Sequence, residues 1–154
     1  MKTVVQRVKR ASVLIGGRLI SQIDSGLVVF LGIEAGDQEE QVDRLAKRVA
    51  HLRIFADQNG KSNLSLMEIK GQVLVVSQFT LCANTESGRR PSFLQAASPE
   101  EADRLYQMFQ SRLRAEYGLT VVSGEFGAMM TVEVINDGPA TFILEEKERK
   151  GKTS

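Results

Sequence analysis

The chain has 154 residues, of which 42% are hydrophobic and 25% charged, with a formal net charge of +1; this fits one domain with a single core. No apolar run approaches the roughly 20 residues needed to cross a bilayer, and the opening MKTVVQRVKR lacks an h-region and a cleavage site, so cytoplasm is the expected location. A single cysteine, Cys82, and a single histidine, His51, exclude an internal disulfide and a structural zinc held by soft ligands, so metal chemistry would need a carboxylate cage.

Segments 2–8, 11–15 and 18–24 are short and β-branched, divided by Arg10 and by Gly16-Gly17, and predict a hairpin-rich start. Lys2, Arg7, Lys9, Arg10 and Arg18 all precede the first acid, Asp24. This basic zone reads either as a solvated face or as a surface for a polyanion. GLVVFLGI at 26–33 predicts a strand covered on both faces. Asp37 followed by Glu40 has the form of a capping box, and Val42, Leu45, Ala46 and Val49 predict a helix ending near residues 53–55. QVLVVSQFTL at 72–81 predicts a strand. At 98–101, SPEE starts a second helix: Ser98 caps, Pro99 suits the first turn, and Glu100 and Glu101 meet the positive end of the dipole. Its buried stripe is Leu105, Met108, Phe109 and Leu113, and Gly118 stops it. LTVVSGEF, MMTVEVIN and ATFIL predict three further strands, the last two divided by a DGP turn at 137–139. The tail EEKERKGKTS has no apolar anchor and is expected to be frayed. The domain is thus 1–145, with 146–154 as a loose end.

Conventional catalytic groups are scarce. Ser77, Thr80 and Cys82 each resemble nucleophiles, but a hydroxyl needs a positioned base. The one imidazole, His51, lies on a predicted helix between Val49 and Leu52, as a boundary or exposed residue would. Cys82 reads as a small packed thiol. The acids fall on helix starts and surfaces, and no P-loop, GxGxxG or HExxH is present. An enzyme built on this chain must take from its backbone or its substrate what its side chains lack.

SQFTL at 77–81 and NDGPAT at 136–141, with QRV at 6–8, LRIF at 52–55, NLSL at 63–66, GRRPSF at 88–93 and FGAMM at 126–130, together resemble the bacterial D-aminoacyl-tRNA deacylase family over about residues 1–145. The resemblance implies a three-layer α/β fold, mostly antiparallel or mixed sheet curled like a barrel, with two main helices packed on one side. It implies hydrolysis of the ester between a D-amino acid, or mischarged glycine, and the terminal adenosine of tRNA. The implied protein is a homodimer that uses no cofactor and binds neither DNA nor membrane.

For the site, the resemblance implies that Ser77, Gln78, Phe79 and Thr80 form the catalytic pocket, with backbone N–H groups near Phe79 and Thr80 holding the oxyanion and the ribose 2′-hydroxyl assisting. It implies that Gly138 and Pro139, joined by a cis bond, reach into the partner subunit's site and exclude L-amino acids. Arg7 would brace that turn, with Ala140 and Met129 completing the chiral wall. Arg89 and Arg90 read either as tRNA phosphate contacts or as a solvated loop. The chain departs from the usual family pattern at Ala140, where valine is common, at Ser62, where methionine is frequent, and at CAN (82–84) in place of YAD. Two alternatives stand beside this reading: a non-catalytic RNA-binding module, and an esterase with Thr80 as nucleophile.

Overall fold

The computed structural model of the chain describes residues 1–150. β1 (Lys2–Ile15) turns at Gly16 and Gly17, both at positive φ, into β2 (Arg18–Ile23). β3 (Gly26–Gly32) returns antiparallel to the first half of β1, with Lys2 opposite Gly32 and Val8 opposite Gly26. α1 (Glu39–His51) follows, then a small hairpin of β4 (Phe55–Ala56) and β5 (Ser62–Leu64), and the single-turn helix α2 (Leu66–Ile69). β6 (Gln72–Ser77), α3 (Pro99–Ala115), β7 (Thr120–Ser123) and β8 (Thr131–Glu145) complete the described elements.

Six strands form one mixed sheet in the order β2-β1-β3-β6-β7, with β8 along the opposite edge of β1. The β3–β6 and β6–β7 pairs are parallel and the others antiparallel. Each parallel step contains a main helix, α1 or α3, the long crossover that parallel neighbours require. The period of two along β3 and β6 then divides the core. Leu27, Val29, Leu31, Val73 and Val75 face α1 and α3, packing on Val42, Leu45, Val49, Leu105, Phe109 and Leu113. Val28, Leu74 and Val76 face the concave side, where the β1–β2 hairpin supplies Val8, Ala11, Val13 and Ile23. A strand buried on both faces has no polar positions to alternate, which explains the unbroken apolar run at 26–33. The curled mixed sheet with two main helices on one face is the fold class expected from the sequence.

Several local expectations are corrected. Arg10 does not divide β1, which continues through it with shifts of register against β8. α1 starts later than the Asp37–Glu40 box implies: Gln38 is its cap, and the Gln41 side chain accepts from the Gln38 N–H at 3.0 Å. Asp37 is instead buried against the Met1 ammonium at 2.8 Å, which Glu34 also meets at 2.9 Å. β6 stops at Ser77, and Phe79–Cys82 form a 3-10 turn. Of the two segments predicted at 129–136 and 140–144, residues 131–136 and 140–144 belong to one strand, β8, in which residues 137–140 bulge outward without reversing the chain, while Met129 and Met130 precede it. The expected loose end begins later than residue 146, because Glu146 pairs with Arg44 and Arg48, both at 2.9 Å; residues 151–154 of that segment lie outside the described residues. No described helix is long and apolar enough to cross a membrane.

Candidate functional site

The end of β6 builds one side of a cleft. Ser77 is in register with Leu31, and the Gln78 N–H donates to Leu31 O at 2.8 Å, holding the chain to β3 as it leaves the sheet. The following 3-10 turn sits tightly against Gly32, where a Cβ would come within 3.0 Å of Gln78 O and Cys82 Sγ. Its first N–H groups have no carbonyl a turn earlier to bond. Those of Phe79 and Thr80 accordingly have no backbone acceptor among the described residues. The Gln78 side-chain amide donates to Thr80 Oγ1, so that hydroxyl already accepts a hydrogen bond.

The cleft holds about 490 Å³. Ser77 and Gln78 give it a polar lip beside Phe79, and Leu31, Val76, Ala97, Ala102, Phe126, Met130 and Val132 form its apolar walls. Met129 lines it while 91% exposed. Phe79 is 56% exposed and packs on Phe93, with ring centroids 5.0 Å apart. Thr80 follows at the surface and does not line the cavity.

A second cluster lies elsewhere on the sheet. Between the Gln6–Thr141 and Val8–Asn136 pairs, residues 137–140 of β8 oppose Arg7 alone. The half-buried Arg7 guanidinium donates through Nε to Asp137 O at 3.0 Å and through Nη1 to Ile54 O. Asn136 Oδ1 accepts from Ala140 N–H at 2.9 Å, clamping the bulge at its other end. Gly138 and Pro139 stand exposed at the crest, joined by a cis peptide. Gly138 has φ +128°, and a Cβ there would lie 2.6 Å from Arg7 Nη2, so both backbone and neighbour call for glycine.

Ser77, Gln78, Phe79 and Met129 therefore share a cavity, while Arg7, Gly138, Pro139 and Ala140 share the bulge and do not line it. Arg7 pairs with Leu27 and Ser77 with Leu31, four residues apart along β3, or roughly 13 Å at strand spacing. Arg89 and Arg90 are exposed in the loop closed by the Asn84–Ser92 bridge, with no ion pair among the described residues. His51 is exposed at the end of α1, its Nδ1 2.8 Å from Lys47 O, away from the cleft. Cys82 is fully buried; burial, with help from the Glu34 carboxylate, pushes its thiol up to about 11, so it is no nucleophile near neutral pH. Sequence reasoning missed the Asn136 clamp, the Ile54 carbonyl that receives Arg7, and Phe93. Asn136 carried a usable signal, since an asparagine side chain commonly bonds nearby backbone at turns.

A family model described as D-Tyr-tRNA(Tyr) deacylase matches residues 4–145. The chain is 54% identical over 149 residues to a D-aminoacyl-tRNA deacylase of Dehalococcoides mccartyi (strain ATCC BAA-2100 / JCM 16839 / KCTC 5957 / BAV1), covering 97% of each chain. It is 52% identical over 150 residues to that of Geobacter sp. (strain M21), covering 97% of this chain and 100% of the relative. Among solved structures, one titled c-Myc DNA Unwinding Element Binding Protein superposes with a TM-score of 0.92 at 41% identity, covering 96% of this chain and 100% of the other. A probable eukaryotic D-amino acid tRNA deacylase superposes at 0.80 with 17% identity, covering 93% and 97%, and bears on the fold alone.

Proposed function

The chain belongs to the D-aminoacyl-tRNA deacylase family, hydrolases of the ester that joins an amino acid to tRNA, and from that premise we propose a division of labour between the cleft and the β8 bulge. In the cleft, the ester carbonyl lies at the start of the 3-10 turn, where the Phe79 and Thr80 N–H groups stabilise the oxyanion that forms as water attacks. The ribose 2′-hydroxyl beside the ester assists the proton transfer. The C–O bond to the 3′ oxygen breaks, that oxygen takes the proton, and free amino acid and tRNA leave. Binding contributes orientation in place of a catalytic side chain.

The bulge works in trans. A second copy presents Gly138-Pro139 to the cleft, and its main chain bars a Cβ on the L side. Exclusion suits this task, because attraction for a side chain discriminates by only about 1–3 kcal/mol per methylene. Glycine has no Cβ, so glycyl-tRNA is hydrolysed by the same geometry. The enzyme acts in the cytoplasm.

The observation that carries the reading is the pair of N–H groups at the start of the 3-10 turn beside the cleft, which have no backbone acceptor among the described residues, next to a Thr80 hydroxyl that accepts from Gln78 and that no described imidazole or carboxylate bonds. The test compares D-aminoacyl-tRNA ending in ordinary adenosine with the same tRNA ending in 2′-deoxyadenosine, using wild type and Thr80→Ala. Thr80→Ala is expected to keep most of its activity, and the deoxy substrate to lose nearly all of it. The reverse pattern would make Thr80 the nucleophile.

A further inference from the structure

The cleft opens onto an aromatic pair that continues past its edge. Phe79 lines the cavity; Phe93 does not, yet it packs against Phe79 with planes at 56° and is itself 39% exposed. Phe93 directly follows the loop 84–92, whose ends are tied by Asn84 N–H to Ser92 O at 2.8 Å and Ser92 N–H to Asn84 O at 2.9 Å. Past Gly88, at φ +75°, the loop carries the exposed Arg89 and Arg90. Against these two cations it has one acid, Glu86. An exposed ring held in place by a second ring, next to two guanidiniums that pair with no carboxylate among the described residues, has the chemistry that binds single-stranded RNA: a base stacks on the ring and the arginines meet phosphate.

Resting on the deacylase reading, we propose that the cleft takes the terminal nucleoside and that Phe93 receives the base of the nucleotide before it, with Arg89 and Arg90 on the adjoining phosphates. Phe93 is then a positioning residue that fixes where the 3′ end enters. It acts on tRNA and has no counterpart contact on a bare aminoacyl nucleoside.

The test pairs two D-amino acid esters, the full tRNA and the aminoacyl-adenosine that lacks every preceding nucleotide. For Phe93→Ala, the fall in kcat/KM on tRNA is expected to exceed the fall on the adenosine ester by about ten-fold, the size of one base stack. The difference should appear in KM, and Phe93→Trp should restore it. Arg89→Ala with Arg90→Ala should flatten the salt dependence of KM on tRNA alone. Anisotropy binding of a short oligoribonucleotide with the tRNA 3′ sequence reads the platform without reaction and should weaken in Phe93→Ala. Equal losses on both esters would overturn the proposal, as would unchanged oligonucleotide binding, or a change in oligomeric state for Phe93→Ala that marks the ring as a contact between copies. Wild-type inactivity on both esters, with oligonucleotide binding still dependent on Phe93, would instead overturn the deacylase reading.

Discussion

Arg7 and Gly138 constrain each other. The guanidinium that bonds Asp137 O and Ile54 O fills the space a Gly138 side chain would need. Hydrogen bonds from a charged donor contribute about 1.5–3 kcal/mol each when their loss strands a partly buried acceptor. Arg7→Ala loses both bonds and is expected to lower the unfolding free energy by at least about 3 kcal/mol and to erode discrimination between D- and L-esters, and Arg7→Lys to recover little, since an ammonium lacks the fork that spans both carbonyls. Urea denaturation run beside D- and L-aminoacyl-tRNA hydrolysis checks both; an intact D/L ratio in a destabilised variant would show that the brace serves folding alone. Cys82 is shut away from solvent. With its thiol at about 11 and no exposed surface, it should resist iodoacetamide at neutral pH in the folded protein and react once urea opens it.

At the level of elements, the cleft wall depends on the link between β3 and the segment before α3. Ala35 N–H donates to Gln95 O at 2.9 Å and Ala97 N–H to Ile33 O at 3.0 Å, with Glu34 between these contacts reaching back to the Met1 ammonium and Lys2. Burial alone would raise the Glu34 carboxyl, but the ammonium and Lys2 outweigh it and hold the group below its ordinary 4.5. A carboxyl depressed by folding stabilises the native state above its unfolded pKa, and that contribution is lost as pH falls through the folded value. The urea midpoint of the wild type should therefore drop below pH 4.5 more steeply than that of Glu34→Gln; parallel curves would remove Glu34 from the account. What was legible in the sequence was local. The run at 26–33 and the SPEE start of α3 depend on neighbours within a few residues, so β3 and α3 fall where the pattern puts them. Asp37 misled because its partner is an ammonium 36 residues away, and a cap and an ion-pair acceptor look alike in one dimension. The DGP motif misled similarly: a turn and a bulge use the same residues, and only the pairing of both flanks with β1 separates them. The SQFTL motif located the cleft lip, whereas Phe93 and the apolar walls come from segments that meet only in the folded chain.

Across the whole molecule, the cleft and the β8 bulge sit apart in one chain, so a site that needs both needs two chains. Mixing a Gly138→Ala chain with a Phe79→Ala chain tests this: where the bulge works in trans, each mixed dimer retains one site free of both changes, and activity should reappear from two weak parents. Sedimentation of the wild type should give twice the chain mass, and a monomer would end the argument. One further consequence comes from β1, which is complete by residue 15 although the strand along its outer edge starts at residue 131. Pairings between such remote stretches form late. During translation, the first strand therefore leaves the ribosome with one flank bare and waits for nearly all the rest, an invitation to foreign strands throughout synthesis. A premature stop ahead of Thr131 would not yield a smaller working protein; it would leave a permanently unzipped sheet for chaperones and proteases.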